Sequence, residues 1–300
     1  VGRAAQLLDQ LGALRQAGRA QRVALAQQAA RGVGDDLAAV GVVAVVDELA
    51  GTTPRAQPER LVAEYSFKKG INSLTSVELA ELTAVKGKML LHLQCHFGLD
   101  TLSWARLGAK VTGIDFSEEA IAAAQKLAEE LKVDARFLCS NVYDLDKNLE
   151  GEFDIIFTSY GVIGWLPDLD RWASIIAHFL RKGGIFYIAE FHPVVWMFDN
   201  DFKKIKYPYH NYQVIEEEET GTYAHREAPI KYTSYTWNHG LGEVISALTA
   251  HGLKIEFLHE FPCSPYNCFQ NTVKGTDGNY RIKNLENLIP MMYSIKATKQ

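Results

Sequence analysis

A short apolar run, Met89-Leu-Leu-His-Leu93, leads directly into a polar turn that ends at Gly98. A run this short and apolar suits a strand buried on both faces of a parallel sheet. Beyond the turn, Leu99, Leu102 and Ala105 recur at helical spacing. Lys110-Val-Thr-Gly-Ile-Asp115 then reads as a second strand, ending in a carboxylate 17 residues after Gly98. Strand, glycine turn, helix, strand and acid together make the plan of a nucleotide site. The turn brings backbone close to a ligand, the helix start offers free N–H groups, and the acid accepts two ribose hydroxyls.

On these residues the chain, from about Phe67 to Lys299, resembles the class I S-adenosylmethionine (SAM)-dependent methyltransferases. It is similar to a subgroup whose first turn reads Leu93-Gln-Cys-His-Phe-Gly-Leu-Asp100. Most of that superfamily reads acid-x-Gly-x-Gly-x-Gly here, where this chain has His92, Gln94, His96 and Gly98. The order of the whole domain, more than this motif, carries the resemblance. It implies an α/β fold with a seven-stranded doubly wound sheet whose last strand is antiparallel. It also implies SAM as methyl donor and S-adenosyl-L-homocysteine as product.

Length and composition fit that reading. Three hundred residues accommodate one large domain with an extension, and 47% hydrophobic residues supply a full core. A net charge of −5 gives no electrostatic footprint for nucleic acid. Cys95, Cys139, Cys263 and Cys268 form no CxxC pair, so free thiols in a reducing cytoplasm are expected. Leu37 to Val46 is the most apolar window, and Asp47-Glu48 interrupts it well short of a membrane span. No signal peptide is expected at the start.

Residues 1–60 differ in composition from the rest, with arginine as their only basic residue type. Leu7, Leu11 and Leu14 sit a helical turn apart, Asp35-Asp36 suits a second helix start, and Gly51-Thr-Thr-Pro54 a stop. This N-terminal helical extension is expected to precede a catalytic domain over 61–300. By resemblance, helices in this place close over the cofactor; a fusion of other origin is the alternative.

Within the domain, Ser76 to Leu82 reads as a helix and Lys86-Gly-Lys88 as the turn into the first strand. Ser117-Glu-Glu starts a helix with a hydroxyl cap and two acids on the positive dipole end. Ala135 to Cys139, Phe153 to Phe157 and Ile185 to Glu190 are strands three to five. Trp172, Ile175, Ile176, Phe179 and Leu180 mark a helix that Lys182-Gly183-Gly184 is expected to end. Residues 191–239 break the alternation and are crowded with aromatics, as an aromatic-rich cap insertion over the substrate would be. Leu241 to Leu248 gives another helix. Leu253 to Leu258 and Met291 to Ala297 close the sheet.

Asp115 is the leading site residue. Gly98 is expected to let the chain pass close to the methionine part of the cofactor. Gln94, His96 and Phe97 bulk up the turn; they either hold the cofactor carboxylate, line the substrate pocket or fill space. By resemblance, Phe116 packs beside the adenosine with Ser117 next to it, and Asn141-Val142 contacts adenine. Ser159 and Tyr160 end the fourth strand near the methyl, where Tyr160 either orients the nucleophile or walls the pocket. His192 and His239 fall at the cap–sheet rim and are the candidate general bases, with Glu190 placed to raise the basicity of either. No metal-ligand spacing is present.

The expected function is methyl transfer from SAM to O or N of a small-molecule acceptor, with neither nucleic acid nor membrane as partner. Two rivals are a nicotinamide-dependent oxidoreductase, which prefers a glycine-rich turn and a parallel last strand, and a binding scaffold without turnover.

Overall fold

The computed structural model describes residues 66–220 and 231–300. The helices expected within 1–60, and the domain boundary drawn there, lie outside the described residues. Alternating helices and strands appear where the periodicity placed them: α1 (Ser76–Glu81), β1 (Met89–Leu93), α2 (Leu99–Arg106), β2 (Lys110–Asp115), α3 (Glu118–Leu131) and β3 (Ala135–Cys139). The single turn α4 (Leu145–Asn148) leads to β4 (Phe153–Ser159), α5 (Leu169–Phe179) and β5 (Leu180–Phe191). Next come β6 (Ile215–Thr220), β7 (Lys231–Thr236), α6 (Leu241–Ala250), β8 (Leu253–Phe261), β9 (Thr272–Lys274), β10 (Tyr280–Ile282) and β11 (Met292–Lys299).

The main sheet has seven strands in the order β3-β2-β1-β4-β5-β11-β8, with β11 antiparallel to both neighbours. This antiparallel strand is the one the methyltransferase reading requires and the oxidoreductase reading does not. The order reverses between β1 and β4, so the crevice of an open α/β sheet falls beyond the C-terminal ends of these two strands. The sheet is buried on both faces. Leu91, Ile156 and Ile188 pack with Trp172 and Ile176 of α5 on one side, and Leu90, Phe157 and Tyr187 with Trp104 of α2 on the other.

Ser117 caps α3 through its hydroxyl, which accepts the Ala120 N–H at 3.2 Å, as the Ser-Glu-Glu pattern implies. The end of α5 differs from expectation. The helix stops at Phe179 without a glycine cap, and Lys182-Gly183-Gly184 lies inside β5. Gly183 has φ +74 there, and the β4–β5 register slips between Phe153 and Ile155. The glycines thus let the chain loop out within a strand.

The cap also differs. The insertion after β5 contributes Trp196, Phe202 and the β6–β7 hairpin, but a second one between β8 and β11 supplies the opposing half. Phe191 lies 5.0 Å from Phe269 and 5.9 Å from Trp196 between ring centroids, and Tyr160 lies 5.1 Å from Tyr266. Phe191, Phe269, Tyr160 and Tyr266 share a small apolar core with Ile282 and Met291, and Trp196 lies at its exposed margin.

Two core features yield predictions. Gly98 has φ +76, and a Cβ there would stand 2.7 Å from Phe137 and 2.9 Å from Ala124. Its bareness thus serves the packing of α3 and β3, a demand the sequence did not reveal beside the expected approach to cofactor. Gly98→Ala combines a left-handed strain with overpacking and is expected to lower unfolding free energy by about 3 kcal/mol in urea titration. Recovery of part of this loss in a Phe137→Leu background would locate the clash. His92 sits inside β1 at 2% exposure, bonded to Thr101 Oγ1 at 2.7 Å, and burial pushes its pKa from 6.5 down to about 3. The unfolded chain therefore takes up a proton below pH 6.5 that the folded chain refuses until about pH 3, and stability falls as pH drops through that window. Between pH 7 and 5 this one group is expected to cost about 2 kcal/mol, a loss that His92→Gln should not show in paired denaturation curves.

Candidate active site

Two turns at the C-terminal edge of the sheet build the site, and each is tied down by an acid from the outer neighbouring strand. After β1, Gln94, His96 and Gly98 all take left-handed backbone, with φ of +55, +51 and +76. The positions where the superfamily carries glycine thus keep a glycine-like path while bearing side chains, instead of the bulkier route their size suggests. Asp115, at the end of β2, holds that path. Its Oδ2 accepts the His96 N–H at 2.8 Å and its Oδ1 accepts the Ser117 N–H at 3.0 Å. A carboxylate offers about four acceptor sites, so each oxygen keeps capacity for a hydroxyl. Asp115 is 7% exposed, at the crevice.

The second turn follows β4. Glu190 of β5 is buried, and its carboxylate accepts the N–H groups of Gly161, Val162, Ile163 and its own neighbour Phe191, three of them at 2.8, 3.3 and 2.6 Å for Val162, Ile163 and Phe191. Burial raises its pKa, and these donors partly offset the rise. This overturns the expected partnership of Glu190 with a histidine: its oxygens are committed to backbone. Gln94 links the turns, its Nε2 donating to the Val162 carbonyl at 3.1 Å, while its Oε1 is buried without a protein partner.

The residues expected to meet adenosine lie just beyond the ends of β2 and β3. Phe116, directly after Asp115, is 47% exposed, and so offers a face to a base. Asn141 follows β3, and its Oδ1 accepts the Tyr143 N–H at 3.0 Å, capping a short 3-10 turn. Val142 is core, so only its backbone is placed to meet a ligand. Ser117 spends its hydroxyl on α3. His96 is exposed, its ring 4.0 Å from that of Phe97. This donor set fits SAM: a carboxylate for ribose, a flat apolar ring and an amide beside it, and an orphaned amide oxygen on the methionine side.

On the acceptor side, Ser159 Oγ stands 3.2 Å from Asp100 Oδ2 and 3.4 Å from His92 Nε2. The Tyr160 hydroxyl lies 3.2 Å from Thr75 Oγ1. Burial, with Glu78 beside it, pushes the Tyr160 pKa well above the usual phenol value. Glu78 and Asp100 are site residues that sequence reasoning passed over. Their signal was weak, since each sits where an acid ordinarily serves a helix start.

The two histidines are both buried and held by protein groups. His239 is buried with both ring nitrogens engaged: Nε2 lies 2.7 Å from the Leu166 carbonyl and Nδ1 2.9 Å from Glu243 Oε1. It braces the start of α6 against the loop before α5. His192 is also buried. Its Nδ1 accepts the Val194 N–H at 3.2 Å, and its Nε2 lies 2.9 Å from Glu260 Oε1. Burial, only partly offset by Glu260, keeps its pKa below the ordinary value. His239 thus has both ring nitrogens committed, whereas His192 Nε2 has only the Glu260 carboxylate beside it.

Removing half of the Glu190 anchor tests its role. Glu190→Gln turns an NH2 donor towards backbone donors, and unfolding free energy is expected to fall by about 2 kcal/mol in urea titration.

The comparisons agree with this geometry. Residues 91–186 match the family model described as a methyltransferase domain. A ubiquinone biosynthesis O-methyltransferase of Coxiella burnetii is 27% identical over 191 residues, covering 62% of this chain and 78% of that one. A ubiquinone biosynthesis O-methyltransferase of Xanthomonas oryzae pv. oryzae is 30% identical over 125 residues, covering 41% and 52%. Among solved structures, a SAM-dependent methyltransferase of Clostridium acetobutylicum superposes with TM-score 0.51 at 12% identity, covering 80% of this chain and 98% of that one. A glycopeptide N-methyltransferase superposes with TM-score 0.51 at 16% identity, covering 82% and 100%. At such identities the structures speak for the fold, and the sequence match speaks for a methyltransferase domain over residues 91–186. Sheet order, turn geometry and the methyltransferase-domain match over residues 91–186 agree, and together they support a class I SAM-dependent methyltransferase.

Proposed function

We propose that this enzyme transfers a methyl group from SAM to an oxygen or nitrogen of a small, partly apolar molecule held under the split aromatic cap. The observation that carries the reading is the Asp115 carboxylate, which fixes the first turn and keeps acceptor capacity at the switch point of the sheet. Asp115 would hold the ribose hydroxyls, Phe116 and Asn141 the base, and Gln94 Oε1 the amine of the methionine part. When bound, SAM supplies a methyl carbon already activated by its sulfonium.

The chain's own work is placement and the exclusion of water. Tyr160, at the end of β4, faces the cap through Tyr266 and Phe191, at 5.1 and 5.6 Å between centroids. It is placed to orient an acceptor. The rings of Phe191, Trp196 and Phe269 shield the same edge. Relatives named for oxygen and for nitrogen methylation support an acceptor that offers one of these atoms. Among the described residues no helix is long and apolar enough to cross a membrane. The cytoplasm is the compartment this reading favours, since the four cysteines are free thiols.

Calorimetry with S-adenosylhomocysteine tests the assignment. The wild-type enzyme should bind it, and Asp115→Asn, which keeps one acceptor oxygen for two backbone donors and two hydroxyls, should weaken binding tenfold or more. Equal affinity in both would remove Asp115 from the site.

A further inference from the structure

Beside the residues assigned to the cofactor lies a second polar cluster that the reading above does not use. Glu78 of α1 is 0% exposed. Its Oε2 accepts the Thr75 N–H at 3.0 Å and also bonds the Thr75 hydroxyl, whereas its Oε1 is buried with no partner. Asp100, second residue of α2, is half-buried. Its Oδ1 accepts from Ser73 Oγ at 2.6 Å and its Oδ2 from Ser159 Oγ at 3.2 Å. Tyr160 and Tyr266 stand edge to face between the two acids and the cap. Among the described residues, no Lys or Arg forms an ion pair with either acid. His92, within reach of Ser159, is held neutral by burial.

Hydroxyl donors alone rarely balance two acids in so little water. Burial raises the pKa of both, and the charge of Asp100 raises that of Glu78 further. A positive charge entering the cluster would return both to the ionised state and give Glu78 Oε1 the partner it lacks.

We propose that Glu78, Asp100, Tyr160 and Tyr266 form the acceptor subsite for a primary or secondary amine, which enters as its ammonium ion, so that the enzyme is an N-methyltransferase of a small aromatic or apolar amine. The proposal rests on the methyltransferase reading and names the acceptor class for it. One ammonium proton passes to a carboxylate oxygen of the pair. The nitrogen lone pair then forms the new N–C bond as the S–C bond of SAM breaks, the electron pair of that bond staying on sulfur. The products are a methylated ammonium ion, S-adenosylhomocysteine and a protonated carboxyl group that returns its proton to water. The aromatic rings of the cap cover the rest of the acceptor, and their faces favour a cation nearby.

The test is calorimetry of the enzyme with 2-phenylethylamine and with its neutral isostere 2-phenylethanol, each with and without saturating S-adenosylhomocysteine. The amine should bind at least tenfold more tightly than the alcohol. Asp100→Asn and Glu78→Gln should each erase most of that preference while leaving alcohol and S-adenosylhomocysteine affinity unchanged. Glu78→Gln keeps an oxygen for the α1 cap; should it still fail to fold by circular dichroism, Asp100→Asn alone decides. Equal binding of amine and alcohol by the wild type would overturn the proposal. So would a loss of S-adenosylhomocysteine affinity in the variants, which would assign the acids to the cofactor's own amine. If the wild type fails to bind S-adenosylhomocysteine at all, the methyltransferase reading falls, while the amine preference measured without it still decides the subsite.

Discussion

Backbone N–H groups that emerge beyond the C-terminal edge of a parallel sheet have no further strand to bond, and this fold depends on how they are satisfied. Both turns at the switch point solve the problem alike. A carboxylate one strand further out reaches back across the edge: Asp115 of β2 to the turn after β1, and Glu190 of β5 to the turn after β4. The consequence differs between the two. Asp115 stays at the crevice and keeps lone pairs for a ligand. Glu190 is sealed in and spends its oxygens on the backbone, so its charge buys shape alone. With both turns fixed, Gln94 can bridge them, and the left-handed residues of the first turn are held despite their side chains.

The chemistry divides along the same line. On the β1–β3 side stand groups that suit a nucleoside: an acid, an exposed phenyl ring and an amide. On the α1–α2 side and under the cap stand acids, hydroxyls and phenols. The histidines that looked suited to proton transfer are tied into the scaffold instead, His239 by a carbonyl and an acid, His192 by an amide N–H and an acid.

Much of this was legible in the chain. Strand positions followed from apolar runs bounded by turn residues, and Asp115 followed from its place at the end of such a run with a helix start behind it. These are local patterns with a fixed physical period. Long-range partnerships were not legible. Nothing near Glu190 states that its oxygens will meet Gly161 and Val162, and Gly98 reads alike whether it makes room for a ligand or for Phe137. The Lys182-Gly183-Gly184 signal was real, but it marked an excursion within a strand rather than a helix end. The second half of the cap left a readable trace in Asp277-Gly278, where Gly278 has φ +83 between β9 and β10. Its meeting with Phe191 is set by tertiary packing alone.

Both cap segments hang from β5, β8 and β11, the strands farthest from the nucleoside residues. A lineage carrying this architecture can therefore lengthen or rewrite either hairpin without disturbing how the donor is gripped. The half of the sheet that never varies in duty supports a half free to drift towards new acceptors, so diversification of such enzymes is expected to be recorded in the loops flanking the antiparallel strand.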